Sequence, residues 1–567
     1  MELSLEQIRR SQIAAGIAAC DQLHEQTENP MEVNEHLLLQ ILHDNQDTEY
    51  GKKYNFAGIH SISEYQKNVP ITQYEDYIEY IEAMVNHNQK NLITAYEVVY
   101  FSETSGTLGS TKLLPLTDKT LEIFKIYNLA ISNGVLKKKL GDGWVGGRSM
   151  RLTEAKIKTL ANGMQCGPVT SRMVSDARPH IKQLFTSPPE AMFPHPDTDT
   201  RYLHARFGLM DKNITGLSSS YCSYLLEIMR YIEMNHVWLV RDIENGTIDA
   251  SIKMSPEVRT SLLAQIEPMP ARARELRDIF ADGFETPIAP RLWPGLMYYA
   301  TISTGFFTDY DTKLRERYLG DQVKLYSWGL NASEGLFSTT YDIERKDGAL
   351  IPCSMFYEFL PIEAGDDYTR IITMDKLEIG RIYEIILTNL SGLYRYRMGD
   401  AVRVTDKYNH LPVIQFEYRI DRTMEILDDH TSELALCTAA ENTAKELGFE
   451  LMDYSIYPDI DSVPSRYVYF MEIGQRSLAV TDAAIRDCLE KQLYAVNPYL
   501  GEIIGKGLCG TTVLHIVKDG TYYHYRDLMS QKGKSLAQIK PVRIIRDEFQ
   551  RSFFFAHIEE GKEGLAS

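Results

Sequence analysis

The stretch FSETSGTLGSTKLLPL, residues 101–116, joins two apolar segments through a loop that is rich in glycine and hydroxyl side chains and ends in a lysine. The apolar run at residues 97–101 favours β-structure and predicts a strand that leads into the loop. Gly106 and Gly109 let the backbone turn tightly, so that N–H groups, hydroxyls and the Lys112 ammonium can reach phosphate oxygens. The spacing of a Walker A loop is absent. The stretch therefore predicts a phosphate site of another kind, with an ordinary turn as the alternative.

Size, charge and cysteine content narrow the class of protein. At 567 residues and 64.9 kDa, the chain is long enough for several domains or for one large α/β enzyme. The net charge of −18 argues against a nucleic acid or an anionic membrane as partner, although a local basic pocket can still receive ATP. The N-terminus predicts an amphipathic helix rather than a signal peptide, and no apolar stretch approaches the ~20 residues of a membrane span. Seven scattered cysteines without a C-x-x-C pair indicate a reducing cytoplasm.

The order of helix-like and strand-like segments predicts an α/β protein with two domains. Residues 1–95 have helical patterns, and the middle of the chain alternates helix-like stretches with β-rich runs. A break near residues 419–430 precedes further helices and strands, which predict a small α+β sandwich. We expect a large N-terminal domain, residues 1–420, and a small C-terminal lid domain, residues 421–567.

Four further segments each carry one residue suited to nucleotide chemistry. Glu334 lies in a Gly/Ser-rich turn, and Mg²⁺ prefers one or two carboxylates together with phosphate oxygens. Asp400 ends the run GLYRYRMGD, where it can accept hydrogen bonds from paired hydroxyls such as those of ribose. Arg419 stands at the expected domain break, and Lys540 precedes a proline that holds it extended. Taken singly, each has a structural alternative: a solvated charge, a turn or a surface lysine.

Taken in order, these motifs resemble the acyl-adenylate-forming superfamily. Within it, the chain is similar to the plant auxin-responsive acyl-acid amido synthetases, the Gretchen Hagen family, and we expect a bacterial relative of these plant enzymes. The runs FYEFLP at residues 356–361 and GLYRYRMGD at residues 392–400 support the likeness most specifically. The resemblance implies a large N-terminal α/β domain with a β-barrel-like part and a small, mobile α+β C-terminal domain.

The resemblance also implies an ATP site assembled from distant segments. The positions matched to ATP or AMP are Thr104, Ser105, Thr107, Lys112, Ser333, Glu334, Phe356, Asp400, Arg419 and Lys540. The positions matched to catalysis are Lys540, Glu334 and Ser105, and Glu334 is also matched to Mg²⁺. The acyl-pocket candidates by family position are Tyr221, Thr304 and Phe306, with Trp293 and Tyr299 nearby. Relatives often carry an aromatic residue where this chain has Leu330 and Asn331, which leaves adenine packing open at that edge.

The implied reaction has two steps and small-molecule partners. A carboxylic acid attacks the α-phosphate of MgATP to give an acyl-adenylate and pyrophosphate, and an amine, expected to be an amino acid, then takes the acyl group and releases AMP. The adenylate already has a good leaving group, so positioning can suffice without a nucleophilic Ser or Cys. We expect a monomeric cytoplasmic enzyme that binds neither nucleic acid nor membrane. A CoA-type thioester ligase and a non-catalytic adenylate-binding protein remain alternatives.

One cluster of potential metal ligands is set aside. His195, Asp197, Asp199 and His204 lie in a predicted Pro-rich loop, but their spacing matches no recognised ligand set. We expect no metal there.

Overall fold

The computed structural model describes residues 3–104, 112–195, 198–420, 431, 433–506 and 509–559. These residues divide into two compact units, an N-terminal unit that extends to Phe416 and a C-terminal unit that starts at Glu417. Among the described residues, no helix is both long and apolar enough to cross a membrane.

The N-terminal unit is built from helices and from mixed and antiparallel sheets. Its helices are α1 (Leu5–Gln26), α2 (Pro30–Asp44), α3 (Glu49–Lys53), α4 (Ile62–Asn68), α5 (Ile78–His87), α6 (Asp118–Phe124), α7 (Ile131–Leu140), α8 (Val169–Asp176), α9 (Ile181–Leu184), α10 (Pro189–Met192), α11 (Thr200–Met210), α12 (Cys222–Asn245), α13 (Pro256–Leu263), α14 (Pro270–Ala281), α15 (Ala289–Leu292) and α16 (Thr308–Leu314). Its strands are β1 (Val98–Glu103), β2 (Leu113–Thr117), β3 (Arg148–Leu152), β4 (Lys158–Thr159), β5 (Gln165–Gly167), β6 (Ile214–Tyr221), β7 (Tyr298–Ile302), β8 (Lys324–Ser327), β9 (Asn331–Ala332), β10 (Gly335–Leu336), β11 (Ser338–Thr339), β12 (Gly348–Leu350), β13 (Met355–Pro361), β14 (Ile372–Thr373), β15 (Ile382–Asn389), β16 (Tyr396–Tyr408) and β17 (Leu411–Arg419), the last of which continues past Phe416.

A parallel sheet in the order β3-β6-β7-β8 forms one layer of this unit. Most residues of β6 and β7 are buried, as expected for a parallel sheet with helices on both faces. The long helix α12 packs against β6 and ends at Gly246, which has a φ of 64° that favours glycine. Because side chains alternate between faces, Tyr298 and Ala300 of β7 lie on one face and Tyr299 on the other.

A second sheet runs in the order β11-β12-β17-β16-β15-β13-β14 and forms a half-barrel, so the predicted β-barrel-like part is confirmed in this open form. The FYEFLP run lies in β13, whose residues are all buried. A smaller sheet, β2-β1-β5-β4, contains the hairpin strands on either side of the loop at residues 105–111.

Helices α1 and α7 cross at two glycines. A Cβ added to Gly16 would lie 2.4 Å from the backbone oxygen of Ala130, and one added to Gly134 would lie 2.2 Å from the backbone oxygen of Gly16. Real Cβ atoms do not come so close, so the crossing requires both glycines. A π-helical segment, Lys125–Ala130, leads into α7 just before this crossing.

The C-terminal unit has its own hydrophobic core around a three-stranded sheet. Its helices are α17 (Glu433–Leu447), α18 (Asp482–Val496), α19 (Pro498–Gly505), α20 (Thr521–Gln531) and α21 (Glu548–Ala556), and its strands are β18 (Leu451–Asp459), β19 (Arg466–Ile473) and β20 (Val513–Ile516). Strand β19 pairs antiparallel with β18 and parallel with β20. The predicted α/β class with a smaller α+β unit is confirmed.

Candidate active site

The predicted phosphate loop connects β1 to β2, and backbone pairing between these two strands continues to both ends of the loop. Glu103 is paired with Leu113 across the hairpin, and the Thr104 N–H donates to the Lys112 backbone oxygen at 3.0 Å. The Lys112 ammonium lies 4.8 Å from the centroid of the Tyr74 ring, a cation–π contact. Thr104 and Lys112 therefore stand together at the two ends of the loop.

Two predicted phosphate-binding residues of the loop, Ser105 and Thr107, lie outside the described residues.

The Ala-Ser-Glu-Gly turn is the tip of a very short hairpin, and it is tied to the end of β1. Gly335 pairs with Ala332, so Ser333 and Glu334 are the two residues of the turn. The Ser333 hydroxyl donates to the Glu103 backbone oxygen at 3.1 Å, and the Ser102 hydroxyl donates to the Ser333 backbone oxygen at 3.0 Å. These reciprocal bonds fix the turn beside the base of the phosphate loop.

The Glu334 carboxylate is held in this enclosed turn. Glu334 is only 8% exposed, and its backbone oxygen accepts a 2.8 Å hydrogen bond from the Asn389 side chain at the end of β15. A largely buried carboxylate next to a loop of phosphate donors suits a divalent cation, because Mg²⁺ combines carboxylate and phosphate oxygens. The sequence missed Ser102 and Asn389, which are small polar residues in strands with no spacing that marks them.

Asp400 lies at a β-bulge rather than in the turn that was the structural alternative. Along the β15–β16 pairing, Glu384 is paired with Ala401, whereas Ile386 is paired with Arg397, so β16 carries extra residues between these two pairs. Gly399 has a φ of 81° within this bulge. Bulges re-aim side chains, and Asp400 is only 7% exposed. The Gly-Asp order thus has a backbone reason: glycine permits the bend that directs the aspartate.

The remaining residues of GLYRYRMGD hold the fold together. The Arg395 guanidinium makes two 2.9 Å contacts with the Glu358 carboxylate, and both side chains are buried. The Tyr394 hydroxyl donates to the Ile93 backbone oxygen at 2.8 Å, which ties the helical N-terminal segment to the half-barrel. The most specific motif in the sequence is therefore mainly structural.

Two of the predicted site residues belong to the C-terminal unit. Arg419 is the last residue of β17, and the expected hinge residues 421–422 after it lie outside the described residues. Lys540 is half-buried and follows Ile539, which is buried. Three residues later, Arg543 pairs with Asp453 at 2.5 Å and anchors this segment to β18. Lys540 therefore stands on an anchored segment.

The family-matched aromatic residues have defined surroundings. Phe356 is fully buried in β13, edge-on to Tyr65, and its contact with adenine stays a prediction. Trp293 is also buried and donates to the Gly208 backbone oxygen at 2.9 Å. The Tyr299 hydroxyl donates to the Asp311 carboxylate at 2.5 Å.

The remaining acyl-pocket candidates surround the end of β6 and the segment after β7. The Tyr221 ring stacks on Phe307 with 4.8 Å between centroids. Thr304 precedes the short 3₁₀ helix at residues 305–307, and the side chain of Phe306 lies outside the described part of the structure. Their contact with an acyl group stays a prediction.

The residues set aside as a metal cluster have structural contacts. Asp199 caps α11 by accepting from the Tyr202 N–H at 3.2 Å. His204 lies within α11 and not in the predicted loop, and its Nδ1 is 2.8 Å from the Ser187 hydroxyl. Burial lowers the pKa of His204 to about 3. Asp197 lies outside the described residues.

A cavity of about 130 Å³ lies on the face of the parallel sheet that carries Tyr298 and Ala300. Its lining comes from the sheet and from helices α1, α7 and α8: Arg9, Gln12, Leu129, Ser132, Asn133, Leu136, Ser149, Arg151, Met173, Val174, Ala177, Leu184, Phe185, Ser218, Tyr298, Ala300, Tyr326 and Trp328. None of the named acyl-pocket candidates is among these residues. The cavity was not predicted from the sequence. Arg151 was a signal for it, because an arginine is unusual in a mostly buried strand such as RSMRL, residues 148–152.

Family models match the chain in three consecutive parts. The GH3 family N-terminal domain matches residues 19–324, the central domain residues 348–419 and the C-terminal domain residues 435–548. The chain belongs to the GH3 family. The Gretchen Hagen resemblance drawn from the motifs is thereby confirmed.

Known GH3 proteins resemble this GH3 chain over nearly its whole length. The probable indole-3-acetic acid-amido synthetase GH3.1 of Arabidopsis thaliana is 27% identical over 92% of this chain and 90% of that protein. The 4-substituted benzoates-glutamate ligase GH3.12 of the same plant is 26% identical over 93% of this chain and 94% of that protein. The solved structure of the GH3.15 acyl acid amido synthetase superposes with a TM-score of 0.83 at 26% identity, covering 95% of this chain and 96% of that one.

Proposed function

We propose that this GH3 protein is an ATP-dependent acyl-acid amido synthetase that activates a carboxylic acid as an acyl-adenylate and transfers the acyl group to an amino acid. The observation that carries the proposal is the reciprocal bonding of Ser333 to Ser102 and Glu103. Through it, a buried carboxylate stands beside a loop suited to phosphates, which is the arrangement that activation by ATP requires.

The proposed site residues fall into two groups, one at the phosphates of ATP and one at its ribose and adenine. Thr104 and Lys112, with Ser105 and Thr107, are proposed to contact the phosphates, and Asp400 to accept from the ribose hydroxyls. Glu334 is proposed to hold Mg²⁺, which when bound offsets charge on the phosphate oxygens. Phe356 is proposed to lie near the adenine, because its position in the sequence matches a nucleotide-binding position of the family.

Arg419 and Lys540 are proposed to complete the site from the C-terminal unit, Arg419 at the ribose. An acid carboxylate and the α-phosphate repel each other, so the chain must supply positive charge where they meet. Lys540 is proposed to supply that charge, with residues 421–422 as the hinge of a closing lid.

The second step is proposed to need positioning more than a nucleophile. The incoming amine attacks the acyl carbonyl, the C–O bond to AMP breaks, and the amine loses its proton. The relatives' names, amido synthetase and benzoates-glutamate ligase, favour an amide over a thioester. Tyr221, Thr304 and Phe306 stay proposed neighbours of the substrates.

We further propose a bacterial, monomeric, cytoplasmic enzyme without nucleic-acid or membrane partners. The modest identity to the plant proteins, the net charge of −18 and the absence of disulfides among the described cysteines support this proposal.

A cross of carboxylic acids with amino acids tests the activity. The purified chain is incubated with ATP, Mg²⁺ and each pair, with and without CoA, and pyrophosphate, AMP and product mass are measured. We expect equal amounts of AMP and amide for at least one pair. Pyrophosphate release with CoA-dependent thioester formation and no amide contradicts the proposal, as does ATP binding without any acid-dependent pyrophosphate. ATP hydrolysis in the absence of acid is the background to subtract.

A further inference from the structure

The cavity between the parallel sheet and α1, α7 and α8 contains two arginines. Arg9 comes from α1 and Arg151 from β3, and none of the lining residues is an aspartate or a glutamate. Burial lowers the pKa of both guanidinium groups, that of Arg151 to about 10. Positive charge is therefore enclosed in the cavity without negative charge in its wall.

The two arginines are held in place by neutral groups. Arg9 is buried and donates to the Ser149 hydroxyl at 3.2 Å and to the Gln12 side-chain oxygen at 3.4 Å. Its guanidinium also lies 5.4 Å from the Trp144 ring. Within the described residues, its Nε has no hydrogen-bond partner.

The Arg151 guanidinium makes cation–π contacts with two aromatic side chains. Its guanidinium lies 5.7 Å from the Phe185 ring and 5.9 Å from the Trp328 ring, and within the described chain it forms no ion pair. Ser149 and Arg151 are two positions apart in β3, so they share a face and bring Arg9 and Arg151 to one wall. A buried cation without a counter-charge is costly, and an anionic ligand offsets that cost.

Chain continuity connects this cavity to the proposed site of activation. Trp328, which lines the cavity, is followed directly by the segment that forms the Ser333–Glu334 turn. The cavity, about 130 Å³, approaches the roughly 150 Å³ of an engineered cavity that binds benzene. It suits a compact side group rather than a long chain.

We propose that the cavity takes a small dicarboxylic acid, and that Arg9 and Arg151 together bind its second carboxylate while the first is activated. The inference rests on the proposed function for the reacting carboxylate. One carboxylate has acceptor sites for both guanidinium forks, and each fork matches its geometry. An acid with an apolar side group leaves both arginines unpaired.

Matched acids test the inference. Glutarate is compared with valerate, and isophthalate with benzoate, in acid-dependent pyrophosphate release. In the wild-type chain we expect the diacid to have the higher kcat/KM in at least one pair, by about tenfold to a hundredfold, as for a hydrogen bond to a charged group. Arg151→Met should remove this preference, because kcat/KM for the diacid should fall more than kcat/KM for the monoacid. Arg151→Lys should restore part of the preference.

Two outcomes overturn the inference. Equal kcat/KM for diacid and monoacid in the wild-type chain means that the arginines recognise no second carboxylate. An equal loss for both acids in Arg151→Met means that Arg151 serves the reacting carboxylate or the fold. Arg10→Met is the matched control, because Arg10 is the exposed neighbour of Arg9 on α1 and pairs with Glu6.

A binding measurement separates this inference from the proposed function. Diacids alone should raise the thermal midpoint of the wild-type and Arg10→Met chains and leave that of Arg151→Met unchanged. Without ligand, Arg151→Met should have the higher midpoint, because it removes a half-buried charge that has no carboxylate beside it in the cavity wall; a lower midpoint assigns Arg151 a structural role. If diacids bind in this way but no acid releases pyrophosphate, the proposed function fails, and only the recognition of a carboxylate by Arg9 and Arg151 stands.

Discussion

At the scale of the residue, burial decides which polar groups serve the fold and which are available for chemistry. Glu358 has its charge matched by Arg395 at 2.9 Å, so its carboxylate is committed to the structure. Glu334 is enclosed to a similar degree, and the backbone of its turn and Ser333 tie it to β1 and β15, beside the base of the predicted phosphate loop. The sequence alone does not separate two glutamates that differ only in their neighbours.

The Glu334 carboxylate should matter for adenylate formation and little for stability. Glu334→Gln keeps the shape of the turn and removes the charge, so we expect acid-dependent pyrophosphate release to fall on the order of 10²-fold, with a higher Mg²⁺ requirement. The measurement is a Mg²⁺ titration of pyrophosphate release. Glu378→Gln, at an exposed site, is the matched control. An unchanged rate and Mg²⁺ dependence removes Glu334 from the site.

The buried imidazole of His204 should make the N-terminal unit sensitive to acid. Its pKa is about 3 in the folded chain, against an ordinary value of 6.5, so the unfolded chain binds more protons between these values. Stability should therefore fall as the pH drops below 6.5, by about 1.4 kcal/mol per pH unit from this group. Above that pH the contribution is constant. Thermal midpoints of wild-type and His204→Gln chains across pH 5 to 8 measure the difference, and parallel curves contradict it.

At the scale of the element, sequence periodicity predicted the α/β alternation and several individual helices and strands, but not what brings their side chains together. The strand predicted before the phosphate loop appears as β1 within a few residues, and helices and strands follow the predicted break near residues 419–430. Helices α19 and α21 were missed, because they are short and stand next to turn-like residues. The cavity was missed because its wall combines α1 with β3, and that proximity follows from a helix crossing that no local pattern encodes.

The close crossing of α1 and α7 predicts that a glycine-to-alanine change destabilises the protein there, which is the opposite of its usual effect within a helix. Glycine to alanine within a helix normally stabilises by about 0.5–1 kcal/mol. At Gly16 the added methyl meets the Ala130 backbone oxygen, so we expect Gly16→Ala to destabilise by roughly 1–3 kcal/mol. Gly505→Ala at the end of α19 is the control, because the space there is open. Denaturant unfolding compares the two, and equal or increased stability of Gly16→Ala contradicts the close contact.

At the scale of the whole molecule, the sequence was most informative about the ATP end of the reaction and least about the acid. Phosphate, ribose and Mg²⁺ are the same in every adenylating enzyme, so short motifs of glycine, hydroxyl and carboxylate residues can mark their site. The acid differs between enzymes, and the cavity proposed to receive it is lined by side chains such as Arg9 and Ser149, which are far apart in sequence and meet only in the fold.

The two-unit construction predicts that one lysine of the C-terminal unit can be removed without loss of the fold. Lys540 is half-buried on a segment anchored by Arg543 and Asp453, so Lys540→Ala should leave the thermal midpoint within about 1 °C, a change of a few tenths of a kcal/mol at most. Acid-dependent pyrophosphate release should fall by roughly 10²–10³-fold, because the charge that develops at the α-phosphate loses its cation.

A second reaction tests whether Lys540 acts only in adenylate formation. Amide formation from a supplied acyl-adenylate and an amino acid should fall much less than pyrophosphate release in Lys540→Ala, because that step does not bring two anions together. Lys534→Ala, an exposed lysine of the same unit, is the matched control. Near-normal pyrophosphate release in Lys540→Ala, or an equal loss in both reactions, rules out a role specific to adenylate formation.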